Sequence, residues 1–289
     1  MIDDTAAIRV DFHTHSHFSD GVLSPTALVA RAADRGVATL ALTDHDTLAG
    51  LDEAAAACAA HGMQFLRGVE VSGSFRGQAI HIIGLGVAHD APQLDEHIGA
   101  INCRRRERIG EIGERLEKRA RLPGREIAAR ILAAQHAPTR LHIARELVSG
   151  GYADGIQHAF DRWLNRGKPG HVPIEWPGID ATLTALRSAT PHVVLAHPHR
   201  YRLSAGGLRT LISNFVTAGG SGLEASLAGM SAVDADRIAS LCRKFRLAAS
   251  LGSDFHDPAV PWNPLGRWLK LPDGLEPITN RFERSHVGN

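Results

Sequence analysis

Cysteine is scarce in this sequence, and its positions exclude the kinds of site that depend on thiolates. Cys58, Cys103 and Cys242 are scattered along the 289 residues and form no C-x-x-C pair. This pattern argues against a disulfide scaffold or a thiolate metal cluster, and it is typical of free thiols in a reducing compartment. We therefore expect a cytoplasmic protein.

The sequence also lacks long apolar runs and an excess of charge of one sign. Its N-terminus carries Asp3 and Asp4 instead of a basic region followed by an apolar one, so we expect no secretory signal and no membrane contact. The net charge of +1 argues against a protein that binds nucleic acid through its whole surface, while a local basic patch stays open. We also expect no obligate protein partner.

Short apolar strands alternate with helical segments in the first and last thirds of the chain. Such alternation is typical of parallel β/α units, and the length suffices for one large barrel. The predicted fold class is therefore α/β, a distorted (β/α) barrel similar to a TIM barrel. The predicted strands are Ile8–Phe12, Val37–Leu42, Gln64–Val69, Ala79–Leu85, His192–Ala196, Ser221–Ala225 and Leu247–Leu251.

The middle of the chain breaks this alternation. From Pro92 the apolar periodicity is helical, and no convincing strand appears before His192. We predict two barrel segments, 1–99 and 176–289, and between them an all-helical insertion, 100–175, that covers the substrate. Residues 101–150 hold twelve Lys and Arg against six Asp and Glu, so the rest of the chain is net negative. A basic cap beside an acidic site predicts an anionic substrate.

The basic run Arg104–Arg108 has two interpretations. As a solvated helix face with i,i+4 ion pairs it would bind nothing. Arg105, however, falls on the apolar stripe of its predicted helix, where a purely solvating arginine is not expected. We therefore predict that Arg105 and Arg108 bind substrate, and we leave the other arginines of the run open.

Side chains that can bind metal ions follow most of the predicted strands. His13 and His15 leave the first strand together, because side chains two apart in a strand share a face. In a β/α barrel the active site is built at the carboxyl ends of several strands. Imidazole and carboxylate without cysteine favour Mn²⁺, Fe²⁺ or Zn²⁺, and two or three ions would use this many ligands. The predicted metal ligands are His13, His15, Asp20, His45, Glu70, His81, His197, Asp254 and His256.

The order and combination of these motifs resemble the PHP (polymerase and histidinol phosphatase) domains, which are similar to amidohydrolases and fold as distorted β/α barrels. The resemblance implies Mn²⁺ as the favoured metal. The matching segments are His13-Thr14-His15, Ser19-Asp20-Gly21, Thr43-Asp44-His45-Asp46, Gly68-Val69-Glu70, His81-Ile82-Ile83-Gly84, His197-Pro198 and Gly252-Ser253-Asp254-Phe255-His256.

The resemblance also implies how the ligands are shared among the ions. The group implied for the third ion could instead bind phosphate or take part in proton transfer if no third ion binds. The implied groups are His13, His15, Glu70 and Asp254 for the first ion, Glu70, His81 and His197 for the second, and Asp20, His45 and His256 for the third.

Over its whole length the chain resembles stand-alone PHP phosphoesterases. The resemblance implies a metal-dependent phosphatase that removes the 3′-phosphate from nucleoside 3′,5′-bisphosphates, for example converting pAp to AMP and phosphate. One alternative is a 5′→3′ exoribonuclease acting on short RNA. Another, of a different class, is a catalytically silent metal-binding module, against which the complete ligand set argues. Histidinol phosphate fits less well, because a basic cap implies more negative charge than one phosphate carries.

The expected mechanism is attack on phosphorus by a water that the metal ions activate. Arg200, next to the ligand His197, would bind the transferred phosphoryl group, because its planar fork matches phosphate. Either His199 or His45 would protonate the leaving oxygen. The predicted catalytic residues are Arg200, His199, His45 and Asp254, and the predicted substrate-binding residues are Arg105, Arg108, Arg140, His142 and Arg200.

Overall fold

A seven-stranded sheet, nearly closed into a barrel, forms the centre of the molecule. The structure, a computed structural model, describes residues 9–268 and 270–286, with residues 283–286 described by backbone alone. The predicted first strand begins at Ile8, which lies outside the described residues. The strands are Val10–Asp11 (β1), Thr39–Leu42 (β2), Gln64–Phe75 (β3), Gln78–Leu85 (β4), His192–Leu195 (β5), Gly222–Leu227 (β6) and Ala248–Gly252 (β7).

The strands lie in the sheet in the order in which they occur in the chain. All neighbouring pairs are parallel except β3–β4 and β4–β5, so β4 alone runs backwards. The segments beyond β1 and β7 also meet: the Phe12 amide donates to the Leu251 carbonyl at 3.2 Å, and Thr14 forms a parallel bridge with Phe255. The predicted distorted barrel is therefore confirmed.

The prediction that the third strand ends at Val69 is wrong. β3 continues to Phe75 and forms a hairpin with β4. Gly68 pairs with Leu85 at one end of the hairpin, and Phe75 pairs with Gln78 at the other. Because β4 runs backwards, its first half lies at the rim where the parallel strands end. This topology explains why the metal-capable side chain of β4, His81, lies near the start of the strand rather than after it.

Helices cover the barrel and make up most of the interval between β4 and β5, in which residues 165–178 are not helical. Serine caps three of them: the hydroxyls of Ser24, Ser204 and Ser231 each accept a hydrogen bond from a first-turn amide. The helices are Pro25–Asp34 (α1), Leu51–Ala60 (α2), Pro92–Ala120 (α3), Gly124–Ala134 (α4), Arg140–Ser149 (α5), Ile156–Ala159 (α6), Ile179–Ala189 (α7), Ala205–Thr217 (α8), Ala232–Phe245 (α9) and Thr279–His286 (α10).

The long helix α3 connects two hydrophobic cores. Its first turns pack Leu94 and Ile98 against the barrel, whereas Ile112 and Leu116 belong to a separate core among α4, α5 and the turn Phe160–Leu164. The helix continues without a break through residue 100. The division into segments 1–99, 100–175 and 176–289 therefore stays a prediction. None of the helices in the described ranges is long and apolar enough to cross a bilayer.

Candidate metal centre

The two ends of the sheet meet at the rim where most strands end. The Asp11 carboxylate accepts hydrogen bonds from the Ser253 amide at 2.8 Å and the Gly266 amide at 3.1 Å. A Cβ on Gly252 would lie 2.6 Å from the Cβ of His13, so only glycine allows this approach. The contact brings the segment after β7 beside the segment after β1.

Four ligand side chains converge at this junction. The Nε2 atoms of His13 and His15 lie 3.0 Å apart. Asp254 Oδ1 lies 3.3 and 3.4 Å from those two nitrogens, and Glu70 Oε2 lies 3.2 and 3.3 Å from them. Two imidazole nitrogens and two carboxylate oxygens therefore surround one small volume, as the ligands of a single cation do.

The two oxygens of Glu70 face different groups of histidines. Oε2 faces His13 and His15, whereas Oε1 lies 3.1 Å from His197 Nε2 and 3.2 Å from His81 Nδ1. Glu70 is fully buried between these groups. A carboxylate in this position can bridge two cations.

The structure also brings together Asp20, His45 and His256, although less tightly. Asp20 Oδ1 lies 3.2 Å from His256 Nε2 and 3.8 Å from His45 Nε2. The other nitrogen of His45 lies 3.0 Å from Glu70 Oε2, so His45 belongs equally to the group around Glu70. All the residues predicted as metal ligands thus lie in one continuous cluster, and their assignment to individual ions stays a prediction.

The hydrogen bonding of the cluster fits bound cations. Buried atoms of six predicted ligands have no hydrogen-bond partner, which is costly unless a bound cation satisfies them. Those of Asp20, His45 and Glu70 face other members of the cluster across 3.0–3.8 Å. The unpartnered atoms are His15 Nδ1, Asp20 Oδ1, His45 Nδ1, Glu70 Oε2, His81 Nδ1 and His197 Nδ1.

The electrostatics of the cluster lead to the same conclusion. Burial alone would lower the pKa of His13, but the carboxylates of Glu224, Glu70 and Asp254 raise it well above its usual range. Burial opposes ionisation of Glu70, yet the surrounding histidines, His13 first, hold the pKa of Glu70 well below its usual range. These buried carboxylates therefore require positive charge, which divalent cations supply while leaving the imidazoles neutral.

Three of the six described residues other than glycine that have positive φ angles lie at the same rim. Asp46, His197 and Asp254 have φ angles of 49°, 30° and 54°, in the left-handed region that residues other than glycine rarely adopt. Strained backbone of this kind is typically found at functional sites.

Glu224, the third residue of β6, belongs to this site but is not among the predicted ligands or catalytic residues. Its Oε1 lies 2.7 Å from His13 Nδ1, and its Oε2 accepts a hydrogen bond of 2.5 Å from the His197 amide. A carboxylate on the second nitrogen of a metal-binding imidazole fixes its tautomer and orientation. Its place near the end of the predicted strand Ser221–Ala225 is the sequence feature that could have indicated it.

A cavity of about 340 Å³ opens beside the cluster. Asp20, His45 and His81 form one side of it, and residues of the helical segment form the other. The lining residues are Asp20, His45, Ala79, His81, Arg105, Arg108, Thr139, Arg140, Leu141, Phe160, Trp176 and Tyr201.

Arg108 and Arg140 bring positive charge to this cavity, and no described carboxylate forms an ion pair with either of them. Among the described residues, neither has a carboxylate oxygen within 4.0 Å; Arg108 donates to the Val172 carbonyl at 2.9 and 3.0 Å, and Arg140 lies over the Phe160 ring at 5.3 Å. Burial, and then Arg140 and Arg105, lower the pKa of Arg108 to about 9. An anion in this cavity would relieve that repulsion.

Arg105 lines the same cavity, but its donors are already used. Its Nε donates to Asp46 Oδ2 at 2.8 Å, and one terminal nitrogen donates to that oxygen at 2.5 Å and to Ser72 Oγ at 3.0 Å. Its guanidinium also lies over the Trp176 ring at 4.9 Å. These bonds connect α3 to the strand ends and give Arg105 a positioning role, and its predicted contact with substrate stays a prediction.

His142 is not among the residues that line the cavity. Its Nδ1 accepts a hydrogen bond of 2.9 Å from the Thr139 amide, and together they form a capping box at the start of α5. His142 therefore caps a helix in the structure, and its predicted contact with substrate stays a prediction.

The predicted pair Arg200 and His199 diverges in the structure. Arg200 donates to Asp254 Oδ2, so it lies next to the first group of ligands. His199 instead lines another cavity, formed with α8 and α9. Burial, and then Arg200, lower the pKa of His199 to about 4. Of the two histidines predicted to protonate a leaving oxygen, only His45 lines the cavity at the metal centre.

Comparison with known proteins identifies the family. The model of the PHP domain matches residues 11–175, more than half of the chain. The chain belongs to the PHP domain family. It is 40% identical to the 5′-3′ exoribonuclease Rnm of Escherichia coli, over 98% of this chain and 97% of that protein. It is 38% identical to the 3′,5′-nucleoside bisphosphate phosphatase of Chromobacterium violaceum, over 95% of this chain and 96% of that protein.

Solved structures agree with this membership. A structure of an amidohydrolase from Chromobacterium violaceum with bound sulfate and no metal superposes with a TM-score of 0.88, at 37% identity, over 96% of both chains. The PHP protein described here is thus a metal-dependent phosphoesterase, a hydrolase of phosphoric esters. The comparisons leave its specific substrate open.

Proposed function

We propose that this PHP protein removes the 3′-phosphate from nucleoside 3′,5′-bisphosphates. The observation that supports this substrate class is the pair of half-buried arginines, Arg108 and Arg140, across a cavity of about 340 Å³ from the metal cluster. A substrate with one phosphate at the metal centre and a second one at these arginines would use both ends of the cavity. The relative named as a 3′,5′-nucleoside bisphosphate phosphatase supports the same choice.

The metal ions would be held by the ligand groups implied by the family resemblance, with Glu70 between the first two. Bound divalent ions, of which Mn²⁺ is our first choice, lower the pKa of water and polarise phosphoryl oxygens. Arg200 would contact the transferred phosphoryl group, since it already contacts Asp254. With no ion in the third group, His45 would donate the proton to the leaving 3′-oxygen, because it lines the cavity.

The rings of Phe160 and Trp176 would bind the nucleoside. Both line the cavity, and each already has an arginine over its face, Arg140 and Arg105 respectively. A flat base bound next to these rings would bury apolar area without requiring a specific hydrogen bond. We therefore expect weak preference among bases.

A second candidate function is 5′→3′ exoribonuclease activity on short RNA. It is favoured by the relatives named as exoribonucleases in Escherichia coli and Haemophilus influenzae, which are 40% and 39% identical to this chain. A 5′-phosphate at Arg108 and Arg140 would then place the first diester, instead of a terminal 3′-phosphate, at the metal cluster.

The deciding experiment compares three substrates in the presence of Mn²⁺: adenosine 3′,5′-bisphosphate, AMP and a short 5′-phosphorylated RNA. Rapid phosphate release from the bisphosphate with AMP left intact is the expected result. Mononucleotides released from RNA together with a slow bisphosphate reaction would favour the exoribonuclease. No reaction with any of the three would contradict both.

Arg140→Ala tests where the second phosphate binds. Loss of a hydrogen bond to a charged group costs about 1.5–3 kcal/mol, so KM for the bisphosphate should rise about 10- to 100-fold. The reaction with p-nitrophenyl phosphate, which has a single phosphate, should change little. The matched control is Arg106→Ala, on an exposed side of α3, and it should leave both reactions unchanged.

A further inference from the structure

A second cavity, of about 420 Å³, lies on the side of the barrel between α8, α9 and the segment after β5. It shares Tyr201 with the cavity at the metal centre and contains none of the predicted metal ligands. It is lined by Pro198, His199, Tyr201, Leu203, Ala205, Leu208, Arg209, Arg237, Ser240, Leu241 and Lys244.

One part of this cavity is apolar. Leu203, Leu241 and Tyr201 are half-buried and pack against the barrel core, and Leu208 is buried. The volume lies in the range of about 300–1,000 Å³ that is usual for small-molecule sites, which are mostly apolar with a few polar groups. The cavity can therefore hold a body as large as a nucleoside.

The other part is strongly positive. Arg209, Arg237 and Lys244 line it, and no carboxylate side chain is among its lining residues. Within the described chain, Arg237 bonds Asp234 at 2.9 Å, whereas Arg209 and Lys244 have no carboxylate oxygen within 4.0 Å. Cations held around a concave surface focus a positive potential that attracts anions.

His199 adds a polar group at the inner end. Its Nδ1 is buried and has no hydrogen-bond partner, which is unusual for a buried ring nitrogen. A ligand with hydroxyl or amino groups would satisfy it. The cavity thus combines an apolar surface, two cations without acidic partners and one unsatisfied nitrogen.

We propose that this cavity is a second ligand site, for a phosphate monoester with an apolar or aromatic body, of the class of a nucleoside 5′-monophosphate. The phosphate would lie between Arg209 and Lys244, and the body would lie on Leu203, Leu241 and Tyr201. Arginine and lysine both bind phosphate, and the apolar surface selects against inorganic phosphate alone. The inference rests on this cavity and not on the reaction proposed above.

The test measures binding of a phosphonate analogue of AMP, whose carbon–phosphorus bond resists hydrolysis, to the Mn²⁺-loaded protein by equilibrium dialysis. In the double variant R209E/K244E, the affinity of one class of binding site for the analogue should fall by about tenfold or more, because each lost contact with a charged group is worth about that much. Arg119→Glu, an exposed charge reversal on α3, is the matched control and should change nothing. Adenosine, which lacks the phosphate, should bind this site at least about tenfold more weakly.

Unchanged affinity and stoichiometry in R209E/K244E would overturn the proposal, as would adenosine binding as tightly as the phosphonate. The double variant should still hydrolyse phosphoesters at the wild-type rate, which shows that it is folded. If the proposed bisphosphate reaction does not occur, the wild-type protein releases no phosphate. If the second ligand site does not exist, the binding measurements on R209E/K244E reveal it, so the two failures can be distinguished.

Discussion

The buried ion pair between Arg105 and Asp46 provides the sharpest test of how the helical segment is fixed to the barrel. Asp46 is completely buried and Arg105 is 7% exposed. Arg105→Met keeps the length and most of the apolar contact of the side chain but removes both donors to Asp46 Oδ2. Asp46 then keeps only the Ser72 amide, at 2.7 Å, and the Ser72 hydroxyl, at 2.8 Å.

Removing one partner of a buried ion pair costs about 3–5 kcal/mol, because the other charge stays buried without compensation. We therefore expect Arg105→Met to lower the free energy of unfolding by about that amount in urea titrations followed by circular dichroism. The control is Arg104→Met, one position earlier in α3, where the exposed guanidinium donates to the Glu175 carbonyl. That variant should lose less than about 1 kcal/mol.

The double variant D46N/R105M separates the ion pair from packing. Because no buried charge is left, the free energy of unfolding of the double variant should be about 1–3 kcal/mol higher than the sum of the two single changes predicts. If Arg105→Met alone costs less than about 1 kcal/mol, or if the double variant shows no coupling, the assigned positioning role is refuted. Arg105 would then be available to the substrate, as the sequence analysis predicted.

Three further outcomes are expected. Glu224→Gln should lower metal affinity about 10- to 100-fold, measured by dialysis against buffered Mn²⁺, because the imidazole of His13 loses its carboxylate partner. Iodoacetamide at pH 8 should label the exposed Cys103 and spare Cys242, since burial raises the pKa of Cys242 to about 12 and leaves almost no thiolate; equal labelling of intact protein would contradict this. Gly124→Ala should destabilise the protein by about 1–3 kcal/mol in thermal unfolding, because its Cβ would lie 2.1 Å from the Gly113 carbonyl oxygen. Gly110→Ala, with open space around it, should not destabilise it.

Local sequence patterns were sufficient for the barrel elements and the identity of the candidate ligands. Strand and helix periodicity are properties of short segments, so most of the predicted elements appear within a few residues of their expected bounds. The extension of β3 past Val69 does not follow from the sequence, because the polar and glycine residues after Val69 look like a turn. Their pairing with β4, not their own composition, keeps them in a strand.

Other features depend on contacts between residues far apart in the chain. Glu224 lies 211 positions from His13, and their contact at 2.7 Å exists only because the barrel brings β1 and β6 to one rim. The separation of His199 from the metal centre likewise follows from the turn after His197. A histidine two positions from a ligand can enter either cavity, and the sequence does not distinguish them.

The sequence by itself determined that metal-capable side chains recur at strand ends, because alternation of side chains along a strand and the order of strands in a barrel are regular. Tertiary structure alone decided how each of them is used. Glu70 lies between two groups of histidines because β3 extends across the rim, and Arg105 is bound by Asp46 because α3 packs over the end of β2. Such roles depend on distances of a few ångström between distant segments, and only the folded chain sets those distances.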